Sequence, residues 1–352
     1  MTDADVVVIG AGVMGSAAAW RLARSGAGRV VLLEQFEVGH RWGSSHGASR
    51  IFRFSYDEAE YVRMAMEALD LWREIESDSG QELIVTLGGI DFGDRPEVEA
   101  HARALESCGA KFEVLDGAEA ERRFPLLALP PGEPAIFQPD AGIALADRAV
   151  RSFAEQAVAR GVELRQGDRV IGLQPGSGGI EIETGEGRLR ARVAVVTAGA
   201  WAPKVLWTSG IELPVTPTRQ TVAFFPMGDE LAAPILVDWS TMVYSLADPG
   251  RGVKAGVHRP NMELDPDEDR ERPIDPQTVE LLTSWVGEHY PSADAAAATA
   301  ETCLYTSTVD ESFILERHGP IVVGSACSGH GFKFAPLIGE RLAGLAREVL
   351  DG

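Results

Sequence analysis

Three observations in the sequence predict a mixed α/β fold, in which one α/β domain is interrupted by a domain of antiparallel strands. Residues 5–34 read as strand, glycine turn, helix and strand in immediate succession, the opening of a parallel sheet. Residues 215–257 read as several short strands separated by proline and glycine, with no helical stretch between them. Strands return at 301–323, and residues 335–350 read as a closing helix.

The elements justify this order one by one. Residues 5–9 are a short apolar run entering the loop GAGVMG, and residues 13–25 carry a small-residue face in Ala17, Ala18 and Ala19. The run VVLLE ends at Glu34. Residues 39–56, GHRWGSSHGASRIFRFSY, are expected to be a loop. From Glu58 to about Ser77, Tyr61, Met64, Ala65, Ala68, Trp72 and Ile75 recur at helical spacing. Residues 82–92 read as strand, Pro96 opens a helix as a first-turn residue, and 126–135 form a proline-rich connection. Asp147 is the expected cap of a helix reaching Arg160. Strands are expected at 162–165, 168–173, 179–184 and 189–201, an acidic solvated loop at 266–273, and a helix from Pro276 to about His289.

With 352 residues the chain is long enough for two domains. A hydrophobic share of 45% and a charged share of 24% are those of an ordinary globular protein. No apolar run approaches the roughly 20 residues that span a bilayer, and the start lacks the basic segment of a signal peptide. Cys108, Cys303 and Cys327 are an odd number without paired spacing, which fits a reducing compartment, so cytoplasm is expected. A net charge of −21 argues against nucleic-acid and membrane partners. No cysteine or histidine pair has metal-ligand spacing, so no metal is expected. Only four lysines (Lys111, Lys204, Lys254, Lys333) stand against 28 arginines, which makes each lysine a candidate for a specific task.

Gly10, Gly12 and Gly15, with Val13 and Met14 between them, follow a strand and open a helix. Backbone N–H groups there can face a pyrophosphate. Glu34, followed by Gln35 at the end of the second strand, is placed to accept hydrogen bonds from a ribose hydroxyl. This pattern does not separate NAD from FAD.

Three further motifs do. Gly43, Ser44, His46, Gly47, Arg50 and Arg53 fit G-S-x-H-G-x-x-R-x-x-R, with Ser45 inside it. Cys303, Tyr305, Thr306, Thr308, Asp310, Glu311, Phe313 and Ile314 fit C-x-Y-T-x-T-x-D-E-x-F-I. SGHGFKF, at 328–334, carries Gly329, His330, Gly331, Phe332 and Lys333. On these residues the chain resembles the monomeric sarcosine oxidase and N-methyltryptophan oxidase family of D-amino-acid-oxidase-like, FAD-dependent amine oxidases.

The resemblance implies a Rossmann-like FAD-binding domain of residues 1–80, 141–214 and 312–352. It implies an inserted antiparallel-sheet substrate domain of residues 81–140 and 215–311. Ser44, Ser45, His46 and Arg50 are implied to lie along the flavin, and Arg53 to anchor a substrate carboxylate, for which a fork-shaped permanent charge is suited. Val170 is implied at the adenine, with Ala198, Gly199 and Trp201 packed on the cofactor. Cys303 is implied to form a thioether with the flavin 8α carbon. A free cysteine without such flanks is more often structural, and Cys108 and Cys327 are read that way. Gly329, Gly331 and Phe332 are implied at the pyrimidine edge, with Lys333 joining Arg53 at the carboxylate. Lys254, in GVKAGVH, is implied near the reactive nitrogen, where a compact ammonium favours superoxide formation. His258, Tyr244 and Tyr305 are implied to line the pocket. The chain departs from the family at Ala48 and Ser49, where relatives carry Asp-Thr, and at Val243, Ser245 and Leu246, where they are more aromatic.

The implied activity is oxidation of a small secondary amino acid (sarcosine, another N-methyl amino acid or a cyclic imino acid) by a monomer. Hydride leaves the carbon beside nitrogen, and dioxygen is reduced to hydrogen peroxide. The alternatives are an oxidase of primary or D-amino acids, resembling glycine oxidase, and a flavoprotein dehydrogenase that does not use dioxygen.

Overall fold

The computed structural model describes residues 2–228, 230–259, 262–268 and 272–352, so positions 269–271 of the expected acidic loop lie outside the described residues. The near-continuous valine, isoleucine and leucine runs build the middle of the first sheet, because such strands need apolar cover on both faces. Its order is Val170–Gly176, Gly179–Thr184, Gly187–Val196, Ala4–Ile9, Val30–Glu34 and Glu163–Gln166, and Ile321–Ser325 with Ile314–His318 branches from Gly187–Val196. Ala4–Ile9 runs parallel to both neighbours, Val6 facing Val193 on one side and Val30 on the other. The carboxyl ends of these parallel strands meet at one edge, where α/β sheets place their ligands.

One face of this sheet is covered by the helices Val13–Arg24 and Ala335–Asp351. Their contact is close because both present small residues. A Cβ added to Gly339 would lie 2.7 Å from the Ala17 carbonyl carbon. The helix Ala59–Ser79 buries Val62, Met64, Ala65, Ala68, Trp72 and Ile75, while Tyr61 is only half-buried. Trp72 Nε1 donates to the Lys333 carbonyl at 2.7 Å, which ties this helix to the turn Gly331–Phe334.

The second sheet runs Thr299–Ser307, Thr216–Phe225, Gly252–Val257, Val243–Asp248, Ile235–Asp238, Gly89–Phe92, Pro134–Gln138 and Glu113–Asp116. It is not wholly antiparallel as expected. Ile235–Asp238 runs parallel to Gly89–Phe92, a pairing of strands distant in sequence that no hairpin turn constrains to be antiparallel. Strand parity places Tyr244, Leu246, Asp248, Lys254, Glu301, Cys303 and Tyr305 on one face. Among the described residues, no helix is long and apolar enough to cross a membrane.

Two other expectations are corrected. The loop 39–56 contains the strand Ser49–Phe52, which pairs with Gly142–Leu145, a tertiary contact that local composition hides. Asp147 is not the helix cap. The strand Gly142–Leu145 feeds directly into the helix Ala146–Ala159 with Leu145 at the cap position, and the Asp147 carboxylate accepts the Gly47 N–H at 2.8 Å. The helix Gly117–Arg123 and the strands Glu113–Asp116 and Pro134–Gln138 escaped the sequence because they are short.

Gly339→Val forces the two covering helices apart and is expected to cost about 1–3 kcal/mol, read as a lower urea midpoint. An unchanged midpoint would show that this contact is not tight.

Candidate active site

At the carboxyl edge of the first sheet lies a cavity of about 590 Å³, roofed by the marked face of the second sheet. Gly10 has φ +98°, and a Cβ there would meet the Thr197 carbonyl oxygen at 2.7 Å. A Cβ on Gly15 would stand 1.8 Å from the Gly10 carbonyl oxygen, so the turn closes only with glycine at both positions. The helix that follows is capped at Gly12 without a side chain, which leaves its N-terminal dipole facing the cavity. Glu34 is buried, and its two oxygens accept the Ala11 N–H at 2.8 Å and the Phe36 N–H at 2.9 Å.

Cations surround the opposite end. Arg50 donates to the carbonyls of Ser44 (2.9 Å), His46 (2.6 Å) and Ser49 (2.8 Å), which closes the loop around its guanidinium. Lys254 Nζ donates to the same Ser49 carbonyl at 3.1 Å. Burial, with Arg50 nearby, pushes the Lys254 ammonium down to about 8. Lys333 is buried and donates to the Tyr56 hydroxyl at 2.7 Å and the His330 carbonyl at 2.8 Å. Burial and then Arg53 hold its ammonium well below the usual lysine range. Arg53 and Lys333 stand over the same Tyr56 ring, 4.9 and 5.2 Å from its centroid. Arg53 also donates to the Ser55 carbonyl and pairs with Asp91 at 3.2 Å, and the same Asp91 oxygen accepts Trp239 Nε1 at 3.0 Å.

The second sheet brings up the remaining groups. Tyr244 and Tyr305 hydroxyls lie 3.2 Å apart. Their rings fit because Gly256 and Gly329 leave room, where a Cβ would stand 2.5 Å from the Tyr244 oxygen and 2.4 Å from Tyr305 Cε2. Burial holds both phenols protonated, Tyr244 at about 12. Burial raises the Cys303 thiol, while Arg50 and Lys254 act against that rise by favouring the thiolate. Burial, helped by Arg50, pushes His46 down to about 4. Burial, helped by Lys333, pushes His330 down to about 3. Both imidazoles are therefore neutral at neutral pH.

Of the site residues named from the sequence, Gly12, Val13, Met14, Gln35, Ser45, Val170, Ala198, Gly199, Trp201, Gly331, Phe332 and those described above line the cavity, except Gly15, which is packed behind its wall. His258 sits at the rim and binds the Glu311 carboxylate at 2.9 Å. Glu311 itself has φ +60°, a strained backbone for a residue other than glycine. Cys327, read as structural, also lines the cavity, and its sulfur accepts the Thr306 N–H at 3.3 Å. Sequence reasoning missed Tyr56, Asp91, Trp239 and His101, which lines the cavity with its ring centroid 4.2 Å from that of Trp239. No local pattern marks them, although an aspartate inside an apolar strand run is a signal that Asp91 offered.

These groups fit FAD. The glycine turn admits a pyrophosphate, the helix N-terminus favours its charge, and Arg50 and Lys254 supply positive potential where a ring would meet Cys303. Asp91→Ala leaves the half-buried Arg53 charge without its anion and is expected to destabilise the fold by about 3–5 kcal/mol in urea denaturation. A loss below about 1 kcal/mol would show that water already screens this pair.

Comparison with known proteins agrees with the geometry. The family model described as FAD dependent oxidoreductase matches residues 5–345. The chain is 32% identical to the monomeric sarcosine oxidase of Bacillus sp. (strain B-0618), over 98% of this chain and 92% of that protein. It is 34% identical to the human peroxisomal sarcosine oxidase, with the same coverage. The solved structure of NikD, an amino acid oxidase of nikkomycin biosynthesis, superposes with a TM-score of 0.87 at 28% identity, covering 98% of this chain and 94% of NikD. A glycine cradle, a cationic ring site and relatives matched from end to end all lead to one conclusion: this chain belongs to the FAD-dependent oxidoreductase family, with the monomeric sarcosine oxidases among its relatives.

Proposed function

We propose that this protein, as a cytoplasmic monomer, oxidises small secondary amino acids at the carbon–nitrogen bond, using FAD tethered through Cys303 and dioxygen as the final acceptor. The observation that carries this reading is the pairing of two cationic stations around one cavity. Arg50 and Lys254 flank the Cys303 thiol, and Arg53 and Lys333 share the Tyr56 ring. Names of the relatives, sarcosine oxidase and amino acid oxidase, point to the same substrate class.

Bound FAD supplies the two-electron acceptor and passes those electrons to dioxygen. Ser44, Ser45, His46, Gly329, Gly331 and Phe332, which line the cavity, would hold it. Arg53 and Lys333 bind the substrate carboxylate, which fixes the carbon that loses hydride. Tyr244 and Tyr305, both protonated, offer hydrogen bonds above the amine. Neither acts as a base at neutral pH. Lys254 presents an ammonium to the developing charge on oxygen.

Three measurements test this reading. The intact mass of flavin-saturated protein should exceed the polypeptide mass by one covalently bound FAD, an excess lost in Cys303→Ser; a wild-type mass equal to that of the bare polypeptide would remove the tether. Arg53→Ala should lower kcat/KM for N-methyl and cyclic amino acids by about ten- to a hundredfold, the worth of a charge-assisted contact of roughly 1.5–3 kcal/mol. An unaltered value would move the anchor elsewhere. The rate of reoxidation by dioxygen should fall as pH rises through about 8, where Lys254 loses its proton, and should be low and flat in Lys254→Met. A pH-independent wild-type rate would exclude Lys254.

A further inference from the structure

Behind Lys254, away from the large cavity, lies a second cavity of about 20 Å³. It is walled by Lys254, Asp248, Glu301, Arg251, Phe224 and Cys303. Asp248 is 1% exposed, and its Oδ2 accepts the Ser49 hydroxyl at 2.7 Å. Its Oδ1 is buried and meets no hydrogen-bond donor among the described residues. A buried carboxylate oxygen without a donor is costly, and such groups are ordinarily satisfied. Lys254 has three N–H donors, and its hydrogen bond within the protein goes to the Ser49 carbonyl. The cavity exceeds the roughly 10–15 Å³ that one water requires.

Position on the sheet brings the two charges together. Leu246 is the register partner of Lys254, so Asp248 is its diagonal neighbour on the same face, within reach of a long side chain. Arg251 seals the outer wall, pairing with Glu301 at 2.9 Å and lying 3.4 Å from the Phe224 ring centroid. Its own partner is therefore Glu301, and Asp248 is left to Lys254.

We propose that this second cavity is a water site, and that Asp248 is the counter-ion and positioning residue of Lys254, joined to it by the bound water and by Ser49. Ser49 links both sides: its hydroxyl fixes Asp248 and its carbonyl fixes Lys254 and Arg50. Asp248 thereby keeps an ammonium charged in a setting where burial and Arg50 both work to discharge it. The task of Lys254 in dioxygen reduction belongs to the function proposed above, and the charge on Lys254 can be measured without it.

Other charged groups also act on Lys254. Arg50 opposes its charge from the strand Ser49–Phe52, and Glu301 supports it from Thr299–Ser307, as does Cys303 on the same strand only while its sulfur is a free thiolate. His46 and Asp147 feel Lys254 from the loop and helix beyond. Asp248→Asn changes only one of these charges and keeps an oxygen for Ser49.

The experiment is carbon-13 NMR of the holoenzyme labelled at lysine Cε, in which only four lysines give resonances. In Asp248→Asn the Lys254 titration midpoint should fall by about one unit or more, while Lys111 and Lys204 stay in place. An unmoved Lys254 midpoint overturns the proposal. If the variant does not fold, a high-resolution crystal structure of the wild-type holoenzyme decides: a water within hydrogen-bond reach of Asp248 Oδ1 and Lys254 Nζ is required, and a dry cavity refutes it. Should the midpoint fall while reoxidation keeps its pH profile, the counter-ion stands and the dioxygen role of Lys254 falls.

Discussion

Positive charge withdrawn from water and met mostly by neutral oxygens is the constraint on which the rest of this structure depends. Arg50, Lys254 and Lys333 are held mainly by neutral oxygens: carbonyls of Ser44, His46, Ser49 and His330, and the hydroxyl of Tyr56. Neutral acceptors satisfy the donors yet leave the potential intact, so the cavity remains electropositive in a chain of net charge −21. Two of the cations at the site also have a carboxylate: Arg53 pairs with Asp91, and Lys254 has Asp248 as its proposed counter-ion.

Holding cations in this way demands backbone bent into unusual paths. The loop before Ser49 curls until its carbonyls converge on one guanidinium, and Gly47, at φ +102°, allows the curl. The turn Gly331–Phe334 is pinned from behind by Trp72, which fixes the start of the Lys333 side chain. Close packing of Val13–Arg24 on Ala335–Asp351 sets the distance between the glycine turn and that pinned turn. Core packing and site geometry are thus one problem.

Much of this was legible in the sequence. The glycine turn follows from spacing, because only glycine tolerates φ +98° at Gly10 and the close approach at Gly15. Lys254, Cys303 and Tyr305 lie on strands, where alternation alone puts Cys303 and Tyr305 on a common face. The expected capping role of Asp147 failed for a physical reason: an aspartate near a helix start caps only when the preceding backbone is free to turn, and here a strand occupies it. Tyr56 and Trp239 were illegible, since each acquires its meaning from a partner far away in the chain, and the charge of Asp91 within an apolar run did not say that Arg53 would be its partner.

By itself, the sequence determined the longer elements, the phosphate-facing turn and the residue types able to carry the chemistry, because these depend on steric rules acting over a few neighbouring residues. The tertiary structure alone decided which oxygen each cation would find, that Asp91 would pair with Arg53, and that Asp248 would stand behind Lys254. Those outcomes depend on register between strands and on burial, and both exist only once distant segments have packed together.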